Sequence, residues 1–79
     1  MANDELTYEE FVRAHGLTPF VDIKTACRVT AQGHSRFYEQ VKSGVFVIIR
    51  NGSRSNVTAK NLYEYYLDRI AAARSGDRT

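Results

Sequence analysis

One stretch near the middle of the chain, GVFVIIRNGSRSNVT, constrains the fold most strongly. Five apolar residues in a row lead into an Asn-Gly pair, and a second strand-compatible run follows it. Asn-Gly between two such runs is a strong hairpin signal, because both central turn residues need a positive φ. The sequence therefore predicts strands near 45–50 and 54–58, with Arg50 and Arg54 on either side of the turn.

The first of these predicted strands is apolar on both faces. Residue alternation puts Val45, Val47 and Ile49 on one face and Phe46 and Ile48 on the other. A two-stranded sheet with one face in water would not need two apolar faces. We expect one face to pack on helices and the other to meet the last helix or another molecule.

Capping residues and apolar spacing predict an opening helix at about 7–15. Thr7 and Glu10 have the spacing of a capping box, and a glycine follows the helix. We expect Phe11 and Ala14 to face the core. The single proline comes next and disfavours helix at the residue before it, so an extended connector is expected there.

Two short helices are predicted before the hairpin, and a longer one after it. The first begins at Asp22 and has a candidate buried stripe of Ile23, Ala26, Cys27 and Thr30. The second, about 35–42, has these polar residues on or near its outer face: Ser35, Arg36, Glu39, Gln40 and Lys42. Two such helices joined by a tight turn form a helix-turn-helix pattern. Thr58 is expected to cap a final helix at about 59–73.

Charge is distributed unevenly along the chain. Residues 1–22 have five acids against one arginine, a formal charge of −4, and residues 23–79 have ten Lys or Arg against four acids, a charge of +6. Between Lys24 and Lys60 there are seven basic residues and one acid, Glu39. Such asymmetry indicates either a polyanionic partner or a solvated basic face, and charge alone leaves both open.

Several functional classes lack support in the sequence. The one cysteine, Cys27, and the two histidines have neither zinc-site spacing nor a catalytic Cys–His arrangement in sequence, and there is no Gly-rich phosphate loop. We therefore expect no enzyme activity, metal or cofactor. No run approaches the roughly 18 apolar residues of a membrane span. The acidic first residues are unlike a signal peptide and a single cysteine cannot form an internal disulfide, so a reducing cytoplasm is the expected location.

The order helix, turn, helix, hairpin, helix is that of a winged helix-turn-helix. We expect a mostly helical α+β fold with a two-stranded wing hairpin and an extra N-terminal helix. The expected division is an acidic helix and connector at 1–20, the winged helix-turn-helix at 21–73 and a flexible tail at 74–79.

Double-stranded DNA is the partner that this arrangement predicts. On the recognition helix, Arg36 suits guanine and Gln40 suits adenine, because these side chains match the acceptors and donors of those bases. The expected contacts on this helix are Ser35, Arg36, Gln40 and Lys42, and those on the wing are Arg50, Ser53, Arg54 and Ser55. Lys24 and Thr25, in the first turn of the preceding helix, are expected to hold the DNA backbone.

The segment DIKTACRVTAQGHSRFYEQVKSGVFVIIRNGSRSNVTAKNLYEYYLDRIAA resembles the excisionase-type winged helix, which is related to MerR-like DNA-binding domains. The matching residues are Lys24, Ala26, Ser35, Phe37, Tyr38, Lys42, Gly44, Gly52, Arg54, Ser55, Leu62 and Tyr66. Three features depart from that pattern. Ala31 and Gln32 replace the usual Gly and aliphatic residue of the turn, Gly33 replaces a Ser or Thr cap, and the proline expected after the recognition helix is absent.

The resemblance implies a DNA-binding protein of a bacterial mobile element, associated with the nucleoid, rather than an enzyme. Excisionases, or recombination directionality factors, bind tandem sites cooperatively, bend DNA and steer an integrase, tyrosine-type or other, toward excision. AlpA-type prophage regulators of transcription are the alternative within the same family. A protein-interaction module, such as an antitoxin-like or adaptor domain, is the alternative from another class.

The acidic opening helix has two interpretations. It packs on the domain with a solvated outer face, or Glu9 and Glu10 contact the basic surface of a neighbouring copy on DNA. Head-to-tail contacts of the second kind need not close and can propagate along DNA.

Overall fold

The computed structural model describes residues 5–75, which form four helices and one three-stranded antiparallel sheet. In chain order the elements are α1 (Tyr8–His15), β1 (Phe20–Asp22), α2 (Ile23–Val29), α3 (His34–Lys42), β2 (Ile49–Asn51), β3 (Arg54–Thr58) and α4 (Ala59–Ser75). The expected mostly helical α+β class is confirmed. The last helix extends to Ser75, and the rest of the predicted tail, 76–79, lies outside the described residues.

Local capping signals determine where three helices begin. At α1 the Glu10 N–H donates to Thr7 Oγ1 at 3.1 Å, and the Thr7 N–H donates to the Glu10 carboxylate at 2.9 Å. The predicted capping box is therefore confirmed. Asp22 caps α2 through the Thr25 N–H at 3.3 Å, and Thr58 caps α4 through the Asn61 N–H at 3.0 Å.

The predicted connector after α1 contains a strand that the sequence did not reveal. β1 pairs with β3 so that Phe20 lies opposite Thr58 and Val21 opposite Val57. Because β3 also pairs with β2, it is the central strand, and the sheet order is β1-β3-β2. Val21 and Val57 are both buried and share one face of the sheet, which is its core face.

The first strand of the hairpin is shorter than predicted. It begins at Ile49 rather than near residue 45, because the Asn61 side chain binds the preceding backbone. The Val47 N–H donates to Asn61 Oδ1 at 2.9 Å, and Asn61 Nδ2 donates to the Val45 carbonyl at 3.0 Å. Phe46 is buried, whereas Val45 and Val47 are exposed by 40% and 63%. The predicted bounds of this strand are therefore wrong, whereas a contact of Val45 and Val47 with another molecule stays a prediction.

The hairpin turn is also displaced by one residue from the predicted position. Asn51 pairs with Arg54, so the two loop residues are Gly52 and Ser53 rather than Asn51 and Gly52. Gly52 has a φ of 67°, and neither Asn51 nor Ser53 has a positive φ. Glycine at the first loop position with a positive φ is the pattern of a type II′ turn, which suits the twist of a hairpin.

Aromatic side chains hold α4 on two sides. Phe46 stacks on Phe37 of α3 with ring centroids 4.6 Å apart and contacts Tyr65 of α4 at 5.0 Å. On the other side, Phe11 of α1 contacts Tyr63 at 5.4 Å. The buried core is Phe11, Leu17, Val21, Ala26, Cys27, Phe37, Phe46, Val57, Ala59 and Leu62. Ala14 is exposed, so its expected place in the core is wrong.

The N-terminal segment is tied directly to α4. The Leu6 N–H donates to the Tyr66 hydroxyl, and the Tyr63 hydroxyl donates to the Leu6 carbonyl, both at 2.8 Å. The Glu5 carboxylate also pairs with Arg74 at 3.4 Å. The opening helix therefore packs on the domain, as the first of its two interpretations expected. Within residues 5–75, no helix combines the length and apolar character needed to cross a bilayer.

Candidate nucleic-acid interface

The turn between α2 and α3 orients the predicted recognition helix and contains a strained residue. Ala31 has a φ of 58°, the left-handed region, which no other non-glycine residue in the described part adopts. Its N–H donates to the Arg28 carbonyl at 3.1 Å, and the Gln32 N–H donates to the Cys27 carbonyl at 3.0 Å. These two bonds form a Schellman motif, which ends α2 and starts the chain toward α3.

The same motif ends two other helices, each time with glycine. Gly16 after α1 has a φ of 63°, and Gly44 after α3 has a φ of 88°. In both turns the glycine N–H donates to the carbonyl of the residue three before it, and the next N–H donates to the carbonyl five before it, as at Ala31 and Gln32. The turn between α2 and α3 thus uses an alanine where the other two such turns of the described residues use glycine.

The Gln40 side chain is hydrogen-bonded to the turn between α2 and α3 and does not lie at the centre of the outer face of α3. Its side-chain oxygen accepts from Gln32 Nε2 at 2.6 Å, and the residue is half-buried. The Gln40 amide donors remain available, and Gln32 uses one of the two lone pairs of the Gln40 side-chain oxygen. Bidentate recognition of adenine needs a donor and an acceptor together, so the bond to Gln32 restricts the orientations in which Gln40 could read that base.

The outer face of α3 is formed by side chains that point away from the buried Phe37. Ser35, Glu39 and Lys42 lie opposite Phe37 around the helix, and Arg36 lies on the flank toward Gln40. Ser35, Arg36, Glu39 and Lys42 are all exposed. Tyr38 is also exposed, by 43%, and packs edge-on against Phe37, so it contributes an aromatic side chain to this surface.

The N-terminus of α3 has no side-chain cap. Gly33 occupies the cap position without a side-chain hydrogen bond, and the first turn contains no acid. The first N–H groups of a helix lack intrahelical partners and lie at the positive end of its dipole. Ser35 and Arg36 lie in this turn, so this end of α3 is electrostatically compatible with a phosphate.

The two residues predicted to hold the DNA backbone from α2 differ in availability. Lys24 is exposed. Thr25 is half-buried, and its N–H donates to the Asp22 carboxylate at 3.3 Å. A hydrogen bond from the Thr25 side chain, together with backbone N–H groups, lowers the pKa of Asp22. The Thr25 N–H is therefore already used in the cap of α2.

The hairpin presents its two arginines on opposite faces. Arg50 lies opposite Ser55, and Arg54 lies opposite Asn51, and successive cross-strand pairs alternate between the faces of a sheet. Both arginines and Ser53, at the tip, are exposed, whereas Ser55 is half-buried. The hairpin can therefore present a cation on either side.

These cations are not engaged elsewhere. In the described part of the chain, no hydrogen bond or ion pair joins another residue to the side chains of Lys24, Arg36, Lys42, Arg50 or Arg54; the ion pair found there is that of Arg74 with Glu5. A phosphate could thus bind any of them without breaking an existing pair. The sequence indicated these residues by the charge of their side chains, and it did not show that the side chains are unpaired.

Asn61 is the residue of this region that sequence reasoning missed. Its side chain fixes the backbone at Val45 and Val47, and the stacked Phe37 and Phe46 lie between α3 and that segment. Together these contacts fix how α3 leads into the hairpin. An asparagine three residues after the Thr58 cap gave no sequence signal, because its partners are backbone groups 14 and 16 residues away.

The two predicted protomer-contact residues differ in what they already do. The Glu10 carboxylate is part of the capping box of α1, whereas Glu9 is exposed beside it.

Cys27 is buried, and burial raises the pKa of its thiol, which disfavours the nucleophilic thiolate. Among residues 5–75, no group of three His, Cys, Asp or Glu side chains is placed to hold a metal ion.

Comparisons of the chain with protein-family models, with curated proteins and with solved structures found no match. The functional proposal therefore rests on the chain's own residues.

Proposed function

We propose that this protein is a winged helix-turn-helix DNA-binding protein that acts as an excisionase. The observation that carries the proposal is a set of exposed, unpaired cations on two elements, α3 and the β2–β3 hairpin. The aromatic stack of Phe37 on Phe46 and the hydrogen bonds of Asn61 hold the connection between those elements. The resemblance of residues 21–72 to the excisionase-type winged helix supports the same proposal.

In this proposal α3 enters the major groove and the hairpin grips the adjacent backbone or minor groove. Arg36 reads a guanine and Lys42 holds a phosphate or a base edge, while Ser35 and the uncapped end of α3 bind the backbone. Arg50 and Arg54 lie on opposite faces of the hairpin, so each arginine can contact the phosphates on one side of a narrow groove. Lys24 extends the backbone contacts.

The proposed role is architectural. Several copies bind tandem sites, bend the DNA and favour excision by an integrase, and the protein has no enzyme activity or cofactor of its own. Regulation of prophage transcription is the alternative use of the same DNA contacts. A bound promoter would favour that alternative, and binding beside an integrase gene would favour excision.

A second candidate function is protein binding, and one surface favours it. Val45 and Val47 are exposed beside Glu64 and Asp68 of α4, which line open grooves there and have no ion pair among residues 5–75. Apolar side chains beside acids suit a basic, apolar segment of another protein. This candidate predicts no affinity for DNA that depends on salt.

A DNA titration at several salt concentrations tests the proposed function. The logarithm of the affinity should fall with the logarithm of salt by about 0.9 for each phosphate contact. Arg54→Ala should weaken binding to all sequences and lower the slope by about 1. The matched control is Arg13→Ala on α1, also an exposed arginine, which should change neither quantity. Equal effects of the two substitutions, or no binding at low salt, would contradict the proposal.

Cooperative assembly has its own test. Glu9→Gln should weaken cooperativity between copies on attachment-site DNA more than affinity for a single site. Glu10 is unsuitable for this test, because its carboxylate caps α1 and its removal would also weaken the helix. Unchanged cooperativity in Glu9→Gln would remove α1 as a protomer contact while leaving DNA binding intact.

A further inference from the structure

One acidic side chain, Glu39, lies among the cations of the candidate interface. It is the only acid between Lys24 and Lys60. It is exposed on α3, two residues from the buried Phe37 and therefore almost opposite it around the helix. Its carboxylate has no hydrogen-bond or ion-pair partner among residues 5–75. Glu39 would therefore lie at the centre of the surface that α3 presents.

A carboxylate at this position opposes binding to DNA in general. It approaches two strands of phosphates and loses water, and the exposed Arg36 and Lys42, each about one helical turn away, offset only part of the charge repulsion. The hydrogen bonds that the carboxylate loses with water are replaced where the groove offers a hydrogen-bond donor. In the major groove these donors are the N4 amino group of cytosine and the N6 amino group of adenine.

Cytosine suits the carboxylate better than adenine does. Adenine places the N7 acceptor beside its amino group, and that lone pair repels a carboxylate. Cytosine places a C–H group there instead. Glutamate and aspartate accordingly accept from cytosine N4, whereas the amide of glutamine pairs with adenine.

We propose that Glu39 selects a cytosine in the target DNA by accepting a hydrogen bond from its N4 amino group. This inference rests on the proposed function, since it assigns one base to the helix that enters the groove. Arg36 precedes Glu39 by about one helical turn on the same side, so the guanine assigned to Arg36 lies next to this cytosine. Glu39 thereby lowers affinity for other sequences as well as recognising this one.

Selection of bound duplexes from a randomised DNA pool tests the inference with four proteins: wild type, Glu39→Gln, Glu39→Ala and Glu64→Gln. Glu64 is an exposed acid on α4 without an ion pair among residues 5–75, so the last variant makes the same charge change away from α3. Wild type and Glu64→Gln should require cytosine at one position, with at least about fivefold weaker binding when another base replaces it. Glu39→Gln should prefer adenine at that position, and Glu39→Ala should accept any base.

The outcomes separate this inference from the proposed function. Absence of DNA binding by wild type at low salt would refute the proposed function itself. If wild type binds and Glu39→Gln selects an unchanged sequence with uniformly tighter binding, Glu39 is only a repulsive charge and the inference is wrong. Helical circular dichroism of the variants excludes unfolding as a cause, and exposed substitutions on α3 should leave it unchanged.

Discussion

Replacing Ala31 by glycine should stabilise the protein, which is unusual for a glycine substitution. Ala31 adopts the left-handed conformation at the end of α2, with a φ of 58°. That conformation costs an L-residue about 1–2 kcal/mol relative to glycine. Glycine in turn gives the unfolded chain about 0.4–1 kcal/mol of extra entropy. Subtracting the middle of the second range from the middle of the first gives an expected net gain in the free energy of unfolding of about 0.8 kcal/mol.

Urea unfolding followed by circular dichroism measures this gain. For a domain of this size, with a slope of about 1 kcal/mol per molar urea, the midpoint should rise by about 0.5–1 M at unchanged slope. The melting temperature should rise by about 2–8 °C, since each kcal/mol shifts a small domain by about 4–8 °C. The turn at Gly16 and the turn at Gly44, which already contain glycine, are the natural precedent within this chain.

Ala14→Gly is the matched control. Ala14 is exposed within α1, where glycine should destabilise by about 0.5–1 kcal/mol because it loses more backbone entropy on folding. Opposite signs for the two substitutions would establish backbone strain at Ala31. If Ala31→Gly lowers the urea midpoint as Ala14→Gly does, the left-handed turn does not store the proposed strain.

Two further predictions concern hydrogen bonds made by side chains near the starts of α2 and α4. Because Asp22 has a lowered pKa when folded, its contribution to stability is present above the unfolded pKa of about 3.9 and is lost as pH falls through the folded pKa. Asp22→Asn keeps a capping side chain and should flatten this pH dependence of the urea midpoint, whereas an unchanged profile would contradict the assignment. Asn61→Ala should cost about 1 kcal/mol and expose the Val47 amide to faster hydrogen exchange, and Asn61→Asp, which keeps the acceptor, should protect that amide. Equal exchange in both variants would show that the Asn61 side chain does not fix this segment.

The elements that the sequence predicted best depend on contacts between near neighbours. The capping box of Thr7 and Glu10 and the caps at Asp22 and Thr58 each join residues three apart. Such signals survive in the sequence because no distant residue is needed to complete them. Helix starts and the helix-rich α+β class followed from them.

The misplaced elements depend on distant partners. β1 is three residues long and exists through its pairing with β3, so it has too little periodicity to be recognised alone. The apolar run before the hairpin has the pattern of a strand, but its backbone at Val45 and Val47 forms hydrogen bonds with the Asn61 side chain instead of with another strand. Both Asn-Gly and Gly-Ser satisfy a two-residue loop, and the observed register selects the second pair.

The candidate interface could be predicted by residue type but not by availability. Arg36, Arg50 and Arg54 are exposed, as a DNA contact requires. Gln40 and Thr25 had suitable chemistry in the sequence, yet Gln32 and Asp22 bind them in the fold. Which donors are already used is a property of tertiary neighbours, and composition and spacing do not encode it directly.

In the proposed function, α3 and the hairpin form one DNA-binding surface. Backbone amide chemical shifts, followed by NMR as a short duplex is added, test it most directly in a chain of 79 residues. If α3 and the hairpin form this surface, the amide signals of 34–42 and 50–55 should shift on addition of DNA and return as salt is raised, with little change at Glu64 and Asp68. Shifts confined to Val45, Val47 and the acidic side of α4, or no shifts at low salt, would contradict it.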